Sequence, residues 1–223
     1  TLQKPVSRKN TILHSQFALL FSILIVCCLG IRLSAAELEN KVLSVTGFGD
    51  ALRVPPEVLN GLSNFTIEFW LYRQFETLDS TELSASGKDF WLEMAGGDSN
   101  GSISLSLSKQ QRLYLGQNAK IPLRNWTHVA AIRAQNRMDI YLDGELALST
   151  IHQESAPLLE GISQVLFGGS QNEDRSGLIG YLDEIRIWRS VRTADQIEAS
   201  YRKTVSIPSQ DLIAWWHFDE GNA

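Results

Sequence analysis

The chain has 223 residues, of which 20 are Lys or Arg and 25 are Asp or Glu, so its formal net charge is −5 at pH 7. This length suits one medium-sized domain with a short appendage. An acidic chain lacks the basic surface that phosphate binding requires, which argues against nucleic acid as a partner.

The first 36 residues differ in composition from the rest of the chain. They include four basic residues and no acidic one, and an apolar run extends from Phe17 to Leu29. The small residues Ser34, Ala35 and Ala36 follow this run. The layout is typical of a secretory signal peptide that is cleaved after Ala36. The run is short for a bilayer span, which needs roughly 20 residues, but Arg32 beyond it leaves an uncleaved N-terminal anchor as the alternative.

Removal of residues 1–36 would leave 16 basic and 25 acidic side chains, a formal charge of −9, because four of the 20 basic residues and none of the 25 acidic ones lie in that segment. Both cysteines, Cys27 and Cys28, lie in the apolar run. The remaining domain could therefore form neither a disulfide nor a thiolate metal site. The sequence predicts a secreted, periplasmic or cell-surface protein with no membrane span after signal cleavage.

From Lys41 onward, short runs of alternating apolar and polar residues are separated by turn residues. The clearest strand pattern is Phe65 to Tyr72, in which apolar residues alternate with polar or aromatic ones. Further strands are predicted at 43–46, 51–54, 103–107, 113–115, 165–167, 178–188 and 212–218.

The segment from Trp126 to Leu148 contains three short strand patterns joined by tight turns. Residues 129–133 and 138–142 alternate in character, and Asp143-Gly144 follows the second run. A two-residue hairpin turn needs positive φ, which this pair tolerates. The segment is therefore predicted to form an antiparallel meander with one buried face.

One helix is predicted near the end of the chain. Thr193 and Gln196 fit a capping box, in which each side chain satisfies a backbone N–H at the start of a helix. Ile197 and Tyr201 lie one turn apart on one face, and the helix is expected to end near Arg202 or Lys203. Many strands and one late helix predict an all-β fold, a two-sheet antiparallel sandwich with one short helix.

Four segments, in order, resemble the laminin-G-like, concanavalin A-like jelly roll. The first has Gly-x-Gly-Asp before a strand and then Asn-Phe-Thr-Ile-Glu-Phe-Trp; the second has W-x-H-V and then Y-x-D-G. The third ends in G-Y-L-D-E-I-R-I-W, and the fourth is the capped helix at Thr193. The layout is more distantly similar to that of pentraxins, which normally carry a disulfide.

The resemblance implies a domain organisation for the chain. Residues 1–36 would be the signal peptide, and residues 37–210 would form the jelly-roll domain. Residues 211–223 would be either the final strand of the sandwich or the start of a following module.

Members of this family often bind calcium at one rim of the sandwich, and calcium prefers several hard oxygen ligands. The loop from Ser170 to Asp174 matches the position of the pentraxin calcium loop, and the family places the strand starts near Asp50 and Asp183 close together. The alternative is that these loops are simply polar, and that Asp183 and Glu184 cap a strand or meet Arg186. The ligands that the resemblance implies are Asp50, Gln171, Glu173, Asp174 and Asp183.

Carbohydrate binding would need exposed aromatic faces. Trp70 and Tyr72 share one face of their predicted strand, and Trp91 lies close to a glycine-rich turn. These three residues are the predicted ligand contacts, although large aromatic residues are more often buried for packing. Trp126 and Trp188 match core positions of the family.

No catalytic motif is predicted. The G-x-S-x-G pattern at 97–101 joins two strand patterns, whereas a nucleophile elbow joins a strand to a helix. The Glu-x-Asp-x-x-Glu strand of glycosidases with this fold is absent from the sequence. We expect a secreted, non-enzymatic module that binds an extracellular glycan or protein, assisted by calcium, within a larger protein. The alternative is an accessory or divergent catalytic domain of a glycoside hydrolase.

Overall fold

The computed structural model describes residues 40–47, 49–75, 81–87, 91–96, 103–106, 112–114, 120–152, 158–170, 177–203 and 209–219. Three sets of predicted features lie outside these residues: the signal peptide (1–36), the turn at 97–101, and the calcium ligands Gln171, Glu173 and Asp174.

Two antiparallel sheets make up most of the described residues. The strands, in chain order, are β1 (Leu43–Thr46), β2 (Leu52–Val54), β3 (Phe65–Arg73), β4 (Thr81–Gly87), β5 (Trp91–Gly96), β6 (Ile103–Ser106), β7 (Arg112–Tyr114), β8 (Trp126–Ala134), β9 (Arg137–Leu142), β10 (Glu145–Ile151), β11 (Ile162–Phe167), β12 (Ile179–Trp188) and β13 (Leu212–Trp216). A 3-10 turn at Pro56–Val58 follows β2, and the helix α1 (Ala194–Ser200) precedes β13. Sheet A has the order β1-β12-β3-β8-β9-β10, with β13 also paired to β12, and sheet B has the order β2-β11-β4-β5-β6-β7. The predicted all-β sandwich with one short helix is confirmed.

The core lies between the inner faces of the two sheets. The alternate apolar residues of β3 belong to it, and Phe69 meets Phe167 of sheet B edge to face, with ring centroids 6.0 Å apart. Successive side chains of a strand point to opposite faces of the sheet, so the remaining residues of β3 lie on the outer face of sheet A. That face is also buried at Thr66 and Glu68, where residues 190–192, which lead into α1, contact both side chains.

The helix α1 begins as predicted and ends earlier. Thr193 Oγ1 accepts a hydrogen bond from Gln196 N at 3.3 Å, and Thr193 N donates to Gln196 Oε1 at 2.9 Å. Ile197 is buried against a small outer patch that includes Ala130 and Tyr141. The helix ends at Ser200, two or three residues before the predicted end, and the backbone carbonyls beyond this point bond to side chains of sheet A instead.

Strand β12 carries a β-bulge at its centre. Its pairing with β3 shifts register between Asp183 and Arg186, and Glu184 has a φ of +52°. On the other side of β12, β1 pairs with the first half and β13 with the second half. The backbone N–H of Lys41 donates to Asp219 Oδ1 at 3.0 Å, so the end of β13 meets the start of β1. Leu212–Trp216 is therefore a strand of this sandwich.

The sequence pattern does not predict β4. Its residues are mostly small or polar, so apolar and polar positions differ little in hydrophobicity. Leu83 and Ala85 are the residues of this strand that reach the core. Within the described residues, no helix is long and apolar enough to cross a membrane.

Candidate functional site

A network of buried charges lies on the outer face of sheet A, beneath α1. Glu68 Oε1 lies 2.7 Å from Arg192 Nε, and Glu68 Oε2 lies 3.5 Å from His128 Nε2 and 4.0 Å from Arg186 Nη1. Burial lowers the pKa of Arg192, and the carboxylate of Glu68 offsets part of that shift. Buried charges of this kind are stable only when they are paired. We call Glu68, His128, Glu184, Arg186 and Arg192 the latch.

Arg186 joins the latch to the chain that follows α1. Its Nη2 donates to Glu184 Oε2 at 2.6 Å and to the carbonyl of Lys203 at 3.0 Å, and its Nη1 donates to the carbonyl of Ser200 at 3.4 Å. Trp215 Nε1 also donates to Glu184 Oε2, at 3.0 Å. The ion pair between Glu184 and Arg186 is the structural role that the sequence offered as the alternative to calcium binding.

The W-x-H and D-G residues of the meander also hold the helix. The backbone N–H of His128 donates to Asp143 Oδ1 at 2.9 Å, and the His128 ring lies 5.5 Å from that of Tyr201. Gly144 has a φ of +88°, and a Cβ added there would lie 2.9 Å from Cε1 of Tyr201. Glycine is thus required both by the turn and by the ring beside it.

Trp70, a predicted ligand contact, is part of the same packing. It is 7% exposed, and its indole N–H donates to the carbonyl of Tyr201 at 3.1 Å. Its ring packs at 5.6 Å from His128 and 6.1 Å from Tyr201. The indole therefore has little surface left for a sugar, and it fixes the end of α1.

Tyr72, the second predicted contact, belongs to a row of three aromatic residues. The strand register aligns Tyr181, Tyr72 and Trp126 across β12, β3 and β8. The centroid of the Tyr72 ring lies 5.5 Å from each of the other two rings, which are 6.4 Å apart. Both tyrosines are half-buried, and Trp126 is 7% exposed. We call these three residues the aromatic row. Sequence reasoning missed Tyr181, although the alternation in β12 assigns it to the same face as Asp183.

Trp91, the third predicted contact, lies on the other sheet. It is the first residue of β5 and is directly opposite Ser86 of β4. Ser84, two residues before Ser86, lies on the outer face of sheet B, where its hydroxyl donates to the carbonyl of Gly169 at 3.0 Å. Position 91 therefore belongs to the outer face of sheet B, whereas Trp70 and Tyr72 belong to that of sheet A.

Two loops meet at one rim of the sandwich, next to β1. A Cβ added at Gly169 would lie 2.7 Å from the Cβ of Ala51 and 3.2 Å from the carbonyl oxygen of Asp50. A Cβ added at Gly177 would lie 2.6 Å from the carbonyl oxygen of Gly168 and 2.7 Å from that of Gly47. The two loops therefore touch through their backbones, and only glycine permits this approach. We call residues 47, 49–51, 168–170 and 177 the rim.

Asp50 is exposed on the rim and is oriented by β1. Its Oδ2 accepts hydrogen bonds from the backbone N–H of Thr46, at 3.2 Å, and from the Thr46 hydroxyl. The loop that carries Gln171, Glu173 and Asp174 starts and ends at the rim, although these three residues lie outside the described part of the chain.

Asp183 does not reach the rim. Thr46, which holds Asp50, is opposite Ile179, and Asp183 lies four residues further along β12, a distance of about 13 Å. Asp183 is buried, and its Oδ1 accepts a hydrogen bond from the backbone N–H of Glu184 at 2.7 Å. The structure therefore does not unite Asp50 and Asp183 in one site. Among the described residues, no group of three or more His, Cys, Asp or Glu side chains is arranged to hold a metal.

Solved structures share this fold at low sequence identity. Domain 4 of AbnA, an extracellular GH43 arabinanase from Geobacillus stearothermophilus in complex with arabinotriose, is 18% identical with a TM-score of 0.58, over 67% of this chain and 71% of that chain. The CBM40 of the Ruminococcus gnavus IT-sialidase, bound to α2,3 sialyllactose, is 14% identical with a TM-score of 0.57, over 71% of this chain and 95% of that chain. A heptameric SAP-like pentraxin from Limulus polyphemus is 18% identical with a TM-score of 0.51, over 68% of this chain and 72% of that chain.

No curated protein sequence matches the chain at a significant level. A family profile does match, over residues 46–198, and it spans the rim, the latch and most of α1. The chain belongs to the concanavalin A-like lectin/glucanases superfamily, in its laminin-G-like branch.

Proposed function

We propose that this chain is a non-enzymatic module that recognises a glycan outside the cytoplasm, with calcium held at the rim. The observation that carries the proposal is the contact between the Asp50 loop and the two stems of the loop that contains Gln171, Glu173 and Asp174. Asp50 is thus brought next to both ends of the loop whose residues would supply the other oxygen ligands.

The residues of the rim suit calcium. Calcium takes about six to eight oxygen ligands from carboxylates, amides and backbone carbonyls. Asp50 offers an exposed carboxylate, and Gln171, Glu173 and Asp174 would add side-chain oxygens to it. When bound, calcium would supply a hard cation for the hydroxyl oxygens of a sugar. Asp183 has no part in this proposal, because it is buried in sheet A.

Similar folds support a glycan as the ligand. Two of the structures described above contain a bound oligosaccharide, arabinotriose in one and sialyllactose in the other. The predicted signal peptide and the cysteine-free, acidic domain are consistent with a location outside the cytoplasm.

A glycan array tests this proposal. The labelled protein is applied once with calcium and once with a chelator, together with the variants Asp50→Asn and Asp211→Asn. Asp211 is an exposed carboxylate that precedes Leu212, the residue opposite Trp188 at the far end of β12 from the rim. It therefore serves as the matched control. We expect wild type and D211N to bind a sugar with calcium, and the chelator or D50N to abolish binding. Binding that ignores both the chelator and D50N would contradict the calcium site, and no binding in any condition would contradict glycan recognition.

An accessory role in a glycoside hydrolase is the second candidate. Two of the similar structures are parts of an arabinanase and a sialidase. In this chain, Glu68 and Glu184 are held in ion pairs of the latch, which disfavours them as acid and base. We expect the isolated protein to bind oligosaccharides without releasing reducing sugar. Hydrolysis that survives purification to homogeneity and disappears in E68Q or E184Q, while the variant stays folded by circular dichroism, would favour a catalytic role instead.

A further inference from the structure

The aromatic row lies on a part of sheet A that the latch does not occupy. Its member on β3, Tyr72, is two residues beyond Trp70, whose indole N–H donates to the carbonyl of Tyr201. The three rings contact one another and leave both tyrosines half-buried. Tyr72 and Tyr181 thus remain partly accessible beside the buried Trp126 on a rigid sheet, where the relative positions of the three rings are fixed by strand register.

Trp126 brings an unused hydrogen-bond donor to this row. Its Nε1 is buried and has no hydrogen-bond partner among the described residues. The indoles of Trp70 and Trp215 do have such partners, and that of Trp188, which also lacks one, lies under the guanidinium of Arg192. A buried donor without an acceptor is unfavourable. An acceptor supplied by a ligand would relieve this.

The aromatic row is also close to the rim. Ser44 of β1 is directly opposite Tyr181, and Thr46, two residues further along β1, holds Asp50. Two residues of a strand span about 7 Å. A chain of sugars held at the rim can therefore continue over Tyr181 toward Tyr72 and Trp126.

Sugars match the chemistry of this surface. A sugar ring has an apolar C–H face that stacks on an aromatic ring, and its hydroxyls accept hydrogen bonds from a donor such as an indole N–H. Tyr and Trp combine an apolar body with a polar group for contacts of this kind. We propose that Tyr181 and Tyr72, which lie beside the buried Trp126, form a second sugar subsite that extends the rim site, and that sugar binding moves these rings so that Trp126 Nε1 pairs with a hydroxyl oxygen. This inference rests on the proposed glycan recognition at the rim.

An NMR titration of 15N-labelled protein tests the subsite. The probes are arabinotriose, cellotriose and sialyllactose, each added with calcium. The indole N–H resonance of Trp126, assigned with Trp126→Phe, should shift on addition of a trisaccharide that binds. The indole resonance of Trp70, which is bonded to Tyr201, should stay in place and serves as the internal control.

Matched variants give the affinity change. Tyr181→Ala should weaken trisaccharide binding by about three- to tenfold, the range of one aromatic stacking contact, while Tyr181→Phe should bind as wild type does. Affinity for the corresponding monosaccharide should not change in Y181A, because the rim alone holds it.

Each outcome separates the two proposals. If trisaccharide binding depends on Asp50 but Y181A is neutral and the Trp126 resonance does not move, the subsite is refuted and the rim site stands. If binding depends on Tyr181 but not on Asp50 or calcium, the subsite stands and the rim site is refuted. If none of the probes and no sugar on the array binds, both are refuted.

Discussion

Arg186→Met should strongly destabilise the protein. The change removes the charge-assisted bond to Glu184, worth about 1.5–3 kcal/mol, and two bonds to backbone carbonyls, each worth about 0.5–1.5 kcal/mol. It also leaves Glu184 buried without its cation. The loss expected for breaking a buried ion pair, about 3–5 kcal/mol, agrees with this sum.

A double-mutant cycle shows whether the stranded charge causes the loss. Glu184→Gln removes that charge and retains an oxygen that can accept the N–H of Trp215. In the double variant, Met at position 186 should therefore be less unfavourable by about 1–2 kcal/mol than it is in the wild-type background.

Urea denaturation followed by tryptophan fluorescence gives the free energies of unfolding. Glu198→Gln, which alters an exposed carboxylate on α1, is the control and should change stability by less than about 0.5 kcal/mol. A loss below about 1 kcal/mol in R186M, or strictly additive effects in the double variant, would refute the role of the latch in holding the helix.

Three further predictions concern the packing around α1. Gly144→Ala should lower stability by about 2–3 kcal/mol, because it adds a clash with Tyr201 to the backbone strain of a positive φ. Gly61 has a φ of +81° and open space around it, so Gly61→Ala should lose only about 1 kcal/mol. Equal losses in the two variants would argue against the contact with the Tyr201 ring. Ile197→Ala should destabilise by about 2 kcal/mol or more in thermal or urea unfolding, since Ile197 is fully buried, whereas Ile151→Ala at an exposed position should be nearly neutral. Burial raises the pKa of Tyr141, with a contribution from Asp139. The stability that this residue contributes is therefore complete below its unfolded pKa of about 10 and is lost as the pH rises through the raised pKa. Tyr141→Phe should show a smaller fall in Tm than wild type between about pH 8 and 11, and an equal fall would contradict this.

Local patterns predicted the elements that depend on neighbouring residues. The capping box at Thr193 and Gln196 predicted the start of α1, and the alternation in 65–72 predicted the strand β3. The end of α1 was beyond such patterns, because it depends on Arg186, which is 14 residues from Ser200 in the sequence and contacts the Ser200 carbonyl only in the folded sheet.

Contacts between distant strands explain the misplaced residues. Trp70 has the same sequence signature as a sugar-stacking tryptophan, and only the position of Tyr201 shows that it is covered. Tyr181 has no local signal for binding, since its importance comes from the register that aligns it with Tyr72. Asp183 lies four residues along β12 from Ile179, the residue opposite Thr46, so strand register keeps it away from the rim.

The hydrogen bond between Lys41 and Asp219 means that the sandwich closes on itself along one edge of β12. The chain leaves the fold beside the point at which it enters, and β13 and β1 form one interrupted line of strand in the same direction. A domain with adjacent entry and exit points can be inserted into a surface loop of another domain without separating that loop's ends.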